Sequence, residues 1–209
     1  MAEPIQPRLI AITDTGQPDH SLAELRALCQ EAAPKTVAIL VRDRHLSTQK
    51  RYELSSALRH ITTEAGQYLF IADRLDLCLS VRGDGLHLAS FGLLPSNLRA
   101  HVPWLSRASH DLEQLPAQEL ELLDAVLLSP AFADLKGNQA LGEQGLRARL
   151  AWLAARSGSG APVGYALGRV DAVNCMGALR AGCAGVAGIS FVLGALRRGP
   201  LLRALSIER

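Results

Sequence analysis

Lysine is scarce in this 209-residue chain: Lys35, Lys50 and Lys136 are the only three, and the rest of the positive charge is arginine. The formal net charge is only +2, and no stretch gathers basic residues onto one face, as a nucleic-acid surface requires. Cysteine is sparse too. Cys29, Cys78, Cys175 and Cys183 form no CxxC pair and no Cys/His cluster at zinc spacing, and their apolar surroundings predict buried free thiols. No apolar run reaches the ~18 residues of a membrane span, and the opening MAEPIQPRL lacks a basic region followed by an apolar core. These absences exclude a zinc module, and they predict a soluble, cytoplasmic protein with neither a nucleic-acid nor a membrane partner. The sequence leaves homo-oligomerisation open. The dinucleotide fingerprint GxGxxG is missing, which counts against the nearest competing architecture, an open doubly wound sheet. With no repeat, low-complexity tract or linker, residues 1–209 are expected to form a single domain.

What is present is an alternation of short buried-strand patterns with longer amphipathic stretches. The apolar runs are Leu9 to Thr13, Val37 to Arg42, Tyr68 to Asp73, Gly85 to Ala89, Leu105 to His110, Ala125 to Pro130, Pro162 to Gly168 and Gly185 to Ser190. Near-continuous apolar character fits parallel strands covered on both faces. Between them, Ser21 to Ala32, Ser47 to Ala65, Leu141 to Arg156 and Phe191 to Leu205 carry a helical period, with Ser21 as N-cap and Glu24 three residues on. The segments after the third and fourth strands leave room for only a turn or two. Eight such units predict an α/β fold of the (β/α)8 TIM-barrel class.

In such a barrel the strand C-termini converge on one mouth. Here those positions hold Thr13, Asp14, Arg42, Arg44, Asp73, His87, His110, Ser129, Lys136, Gly168, Arg169 and Gly188 to Ser190. The excess of cations suits an anionic ligand, above all a phosphate ester. Gly168 and Arg169 end the seventh strand, and Gly188, Ile189 and Ser190 lead towards the last helix. Glycine turns and a helix start together supply backbone N–H groups for a phosphate; the same glycines also serve as tight strand–helix turns. Period-two geometry puts Arg42 and Arg44 on one side as substrate contacts, or as a solvated edge. His110 either exchanges a proton or caps a helix. His87, inside the apolar run GLHLA, reads as a core residue or one behind the site. Asp73 could hold a metal, orient Arg42 or cap the following turn, and one carboxylate is poor evidence for Mg2+.

These stretches resemble the thiamine-phosphate synthase/TenI superfamily from about Leu9 to Leu196. LIAITD is similar to its first strand and ILVRDRHLST to its second-strand motif. FIADRLDLCLSVRGDGLHLAS is similar to its third and fourth strands, SPAFADLKG to its sixth-strand loop, and VGYALGRV and AGCAGVAGIS to its two phosphate-binding segments. The resemblance implies a phosphorylated thiazole ligand, held by Gly168, Arg169, Gly188, Ile189 and Ser190. Lys136 matches the synthase lysine. The departures point elsewhere. Where synthases carry Gln, Arg and Lys on strand two, this chain has Leu40, Arg42 and Arg44. Their Asn-Asp pair is Ala72-Asp73, their second Mg2+-binding Asp falls on Gly92, and their paired glycines are Gly168 and Arg169.

The TenI branch, a metal-independent thiazole tautomerase, is similar in lacking these groups. Its catalytic histidine lies in an R-S-x-H-S-L pattern, and Arg107-Ala108-Ser109-His110-Asp111-Leu112 matches it at Arg107, His110 and Leu112. The resemblance therefore implies a TenI-like tautomerase with His110 moving the proton, Arg42 and Arg44 facing the substrate and no cofactor. A thiamine-phosphate synthase, with Mg2+ at Asp73, is the alternative. A non-catalytic thiazole phosphate sensor is a third reading.

Overall fold

The computed structural model describes residues 4–16, 21–90, 95, 97–109, 112, 115–135, 137–157, 160–189 and 194–209. Strands β1 (Leu9–Ile12), β2 (Val37–Val41), β3 (Tyr68–Ala72), β4 (Gly85–Leu88), β5 (Leu105–Ser109), β6 (Ala125–Leu128), β7 (Val163–Leu167) and β8 (Gly185–Gly188) pair in parallel in sequence order. The ring closes through β1 and β8, with Leu9 beside Val186 and Ala11 beside Gly188. This is the (β/α)8 barrel that the alternating pattern predicts. Each strand stops one or two residues short of its apolar run. The backbone past the last ladder bond turns away to build the mouth: Asp73 adopts φ +59° and Gly168 φ +114°, neither compatible with an extended strand.

Helices α1 (Leu22–Glu31), α2 (Thr48–Ala65) and α5 (Gly142–Ser157) fall where the period predicts. The Ser21 hydroxyl accepts the Glu24 N–H at 3.2 Å, satisfying one of the free N–H groups of α1. The connections after β3 and β4 are reduced as expected, to α3 (Leu75–Ser80) and a 3-10 turn at Leu98–Ala100. Short α4 (Ala117–Leu120) and α6 (Cys175–Ala181) follow β5 and β7. The last helix corrects the sequence reading. α7 spans Ala195–Ala204 rather than starting at Phe191, and residues 190–193 lie outside the described ones.

Strand alternation sorts the core into two shells. Leu9, Ile39, Leu69, Ile71, Leu105 and Val126 face the helices; Ile10, Ile12, Leu40, Phe70, Trp104, Leu127 and Tyr165 fill the barrel. Burial of each large side chain stabilises the fold by about 1.5–3 kcal/mol. Phe70 and Trp104 stack with centroids 4.0 Å apart. A Cβ on Gly85 would lie 2.8 Å from both rings, so β4 needs glycine there. Below them the Tyr165 hydroxyl donates to the Pro7 carbonyl at 2.7 Å. Buried Arg198 on α7 donates to Glu24 and Glu31 on α1, tying the two ends of the chain across the closing seam. All four cysteines are buried free thiols, and burial pushes Cys29 up to about 12 and Cys78 and Cys183 up to about 11. Among the described residues, no helix is long and apolar enough to cross a membrane.

Candidate active site

The strand ends enclose a cavity of about 850 Å³ at the C-terminal mouth of the barrel. Arg42, Arg44, Gly168, Arg169, Gly188 and Ile189, six of the positions singled out in the sequence, all line it. His110, Lys136 and Ser190 lie outside the described residues, as does Gly92. The structure adds Arg197 at the start of α7, Asp134 after β6 and Asp171 after β7. Four arginines against two carboxylates leave this wall electropositive. Arg197 carried no sequence signal, because its place at the mouth depends on how α7 closes against β8.

On the β7 side the backbone is tightly shaped. Gly168 at φ +114° is followed by Arg169 at φ +51°, two left-handed residues in succession. A Cβ on Gly168 would meet the Ala131 nitrogen at 3.2 Å and Pro130 just beyond. Ala131 N–H donates to the Leu167 carbonyl at 2.9 Å and Phe132 N–H to the Gly168 carbonyl at 3.1 Å, stitching the β6 and β7 loops together. The next turn is closed by Asp171, which accepts from the N–H groups of Val173 and Asn174, while the Asn174 amide donates to the Arg169 carbonyl. The N–H groups of Gly168, Arg169 and Ile189 have no partner among the described residues. Adjacent free N–H groups in left-handed turns form an anion-holding concavity. The helix start contributes differently from the sequence expectation: Gly194 N–H at the head of α7 donates to Glu24 at 3.0 Å.

On the β2 side Arg42 and Arg44 follow the last strand residue. Arg44 donates from Nε at 3.0 Å and from Nη2 to the same oxygen of Asp73. The other Asp73 oxygen accepts Ala89 N–H at 2.8 Å, and Asp73 N–H donates to the His87 carbonyl at 2.8 Å. Asp73 thus orients Arg44, not Arg42. Beneath them buried Arg51 on α2 donates to the carbonyls of Val41 and Ala72, clamping the ends of β2 and β3 together.

A divalent cation does not fit the groups at Asp73. Both carboxylate oxygens are engaged within the chain, and the position where the family resemblance implies a second carboxylate is Gly92 in this sequence. Asp14, Asp43 and His45 bring donor atoms within 4.8 Å of one another nearby. There Asp43 accepts from Thr13, from the Thr15 N–H at 2.6 Å and from the Thr15 hydroxyl at 2.7 Å. Burial works to raise the Asp43 carboxyl, and these hydrogen bonds outweigh it, so the group sits below its ordinary value. Asp43 is thereby committed to joining the β1 and β2 loops.

Arg107, part of the tautomerase-like pattern, points away from the cavity. It is buried in the helix layer, pairs with Glu119 of α4 at 2.5 Å and donates to the Ser90 carbonyl at 3.3 Å. His87 differs in the opposite sense. Two residues beyond Gly85 on the inward face of β4, it lines the cavity, with Nδ1 2.7 Å from the Ser106 hydroxyl. Burial pushes its imidazole down to about 4, opposed by Asp73 and assisted by Arg42 and Arg44, so the ring is neutral at physiological pH. The Gly-x-His spacing on an inward strand face was the available signal, and the apolar flanks hid it.

Comparison with known proteins identifies the family. The sequence profile described as thiamine monophosphate synthase matches residues 9–192. The chain is 34% identical to the thiamine-phosphate synthase of Methanoculleus marisnigri over 166 residues, 78% of this chain and 77% of that protein. It is 29% identical to the thiamine-phosphate synthase of Chloroflexus aurantiacus over 195 residues, 90% and 86% of the two chains. Its fold superposes on a thiamine phosphate pyrophosphorylase from Pyrococcus furiosus with a TM-score of 0.77, at 24% identity and 97% and 96% coverage. The chain belongs to the thiamine monophosphate synthase family.

Proposed function

We propose that this chain is a transferase of the thiamine-phosphate synthase type, acting as one barrel domain in the cytoplasm. It joins hydroxymethylpyrimidine pyrophosphate to thiazole phosphate. The observation that carries the reading is the presence of two cationic sides in one cavity of about 850 Å³. Arg42 and Arg44 stand on the β2 side; Arg169 and the N–H groups of Gly168, Arg169 and Ile189 stand on the β7–β8 side, near Arg197. Two anionic substrates call for two such sides. The relatives named thiamine-phosphate synthase support the same choice over the tautomerase that the sequence pattern favours.

In this reading the phosphate of the thiazole rests on Gly168, Arg169, Gly188, Ile189 and Ser190. Arg42 and Arg44, with Lys136 from the β6 loop, hold the pyrophosphate. The pyrimidine methylene carbon loses its bond to pyrophosphate, which departs with the electron pair, and bonds to the thiazole ring nitrogen. Guanidinium groups fixed beside the leaving group stabilise the charge that develops on it. No step is assigned to a metal at Asp73.

The engaged Asp73 carboxylate favours a second reading, the metal-independent thiazole tautomerase, with His110 as the proton carrier. One assay separates the two. The protein is incubated with both coupling substrates, in EDTA and in Mg2+, and thiamine phosphate is measured; carboxylated thiazole phosphate is followed in parallel by isomer analysis. Thiamine phosphate formation supports the transferase, and isomer conversion alone replaces it with the tautomerase.

A further inference from the structure

The head of α7 is attached to the barrel by polar contacts, not by packing. Ala195, Leu196 and Arg197 in its first turn are exposed, Leu196 to 94%, and buried apolar side chains begin only at Leu201 and Leu202. Pro200 has no N–H to return to the Leu196 carbonyl, which removes a bond between the first turn and the rest of the helix. Gly194, at the N-cap, has no side chain with which to cap. The caps come from α1. One oxygen of Glu24 accepts the Gly194 N–H at 3.0 Å and Arg198 Nη1 at 2.6 Å. Glu31 takes the other two guanidinium nitrogens of buried Arg198, at 2.8 and 2.7 Å. The Gly194 carbonyl in turn accepts the N–H groups of Arg197 and Arg198, each at 3.0 Å. A chain of hydrogen bonds therefore runs from Glu24 through Gly194 to Arg197, which lines the cavity together with Gly188 and Ile189.

We infer that Glu24 of α1 is a positioning residue for the β7–β8 side of the cavity, fixing the first turn of α7 so that Arg197 reaches the phosphate of the thiazole ligand. The inference rests on the proposed reading of that side as the phosphate site. The two acidic partners of Arg198 differ in what they hold. The Glu31 carboxylate, about two helical turns further along α1, binds Arg198 alone among the described residues. Glu24 also holds Gly194, the backbone on which Arg197 hangs. The Arg197 side chain is not buried, so the reach of its guanidinium depends on where that backbone is held.

The test measures the affinities of thiazole phosphate and pyrimidine pyrophosphate by calorimetry on the full chain. Glu24→Ala is expected to weaken thiazole phosphate roughly fivefold, with pyrimidine pyrophosphate unchanged within about twofold. Glu24→Gln keeps an oxygen for the Gly194 N–H and is expected to recover most of that loss. Glu31→Ala removes two of the three Arg198 bonds but spares Gly194, and both affinities should stay within about twofold. In an Arg197→Met background, Glu24→Ala should have no further effect on thiazole phosphate, because the two residues act in series. Should Glu24→Ala fail to fold, Glu24→Asp, which draws the carboxylate back by one carbon, takes its place with the same expectations. Undiminished thiazole phosphate affinity in Glu24→Ala, equal losses of both ligands, equal losses in Glu24→Ala and Glu31→Ala, or a full further loss in the Arg197→Met background each overturns the inference and leaves the phosphate site standing. Failure of the wild type to bind thiazole phosphate overturns the phosphate reading and the inference with it. Thiazole phosphate bound without coupling to the pyrimidine overturns the transferase reading alone, and the Arg197→Met comparison then decides the inference.

Discussion

Arg44 and Asp73 are locked together at the cavity edge: two N–H groups of the guanidinium meet one carboxylate oxygen, and Ala89 N–H takes the other. The pair holds an arginine at the cavity lining, and it leaves both Asp73 oxygens already engaged within the chain, a poor starting point for a metal. Titration of the ligand-free protein with Mg2+ is therefore expected to show no saturable binding below millimolar concentrations. Tight binding would reverse the account of Asp73. Because the Arg44 side chain is 54% exposed, Arg44→Met is expected to cost at most about 1 kcal/mol of stability. The same variant should weaken pyrophosphate severalfold.

Gly168 is tested by a single methyl group. At φ +114° and 3.2 Å from the Ala131 nitrogen, the added Cβ of Gly168→Ala is strained both by its own backbone and by its neighbour. The expected loss is about 1–3 kcal/mol in denaturant unfolding. Affinity for inorganic phosphate should fall as well, because the Gly168 and Arg169 N–H groups are displaced. A variant that is both fully stable and fully phosphate-competent would remove the cradle from the β7 loop.

His87 links the site to acid stability. In the folded chain the ring stays neutral down to about pH 4, whereas the unfolded chain takes up a proton near the ordinary value of 6.5. The unfolded state thus binds more protons between these limits, and stability falls as pH falls through them. Unfolding free energies of the wild type from urea titration are expected to fall by about 3 kcal/mol relative to His87→Asn between pH 6.5 and pH 4. Parallel curves for the two proteins would mean that the imidazole is solvated.

Arg107 and Glu119 are placed as a stability pair by their burial in the helix layer. Removing one partner strands the other charge, so Arg107→Met is expected to cost about 3–5 kcal/mol. The double change Arg107→Met, Glu119→Leu should cost clearly less than the sum of the two single changes. Turnover per folded molecule should stay within a few-fold; a selective loss of turnover at full stability would place Arg107 in the active site.

His110 decides between the two catalytic readings. His110→Asn keeps size and some hydrogen bonding but cannot exchange a proton near neutrality. A tautomerase would lose roughly two orders of magnitude or more of turnover with ligand affinity unchanged within a few-fold. A transferase, whose chemistry needs no proton carrier at that point, should retain coupling within about tenfold.

The sequence by itself determined the barrel. Eight apolar runs, each long enough for a strand covered on both faces, alternate with segments of helical period, and that order leaves one economical closure. It also determined which side chains gather at the mouth, because strand C-termini converge: Arg42, Arg44, Gly168, Arg169, Gly188 and Ile189 line one cavity. Only the tertiary structure decided their partners. Arg44 is bound to Asp73 across the neighbouring ends of β2 and β3, which Arg51 of α2 also bridges. Strand parity sends Arg107 of the histidine pattern outward to Glu119, and His87, read as a core residue or one behind the site, inward to Ser106 at the cavity. A local motif records residue types and spacing. Which face of a strand meets the ligand is set by packing across the whole ring.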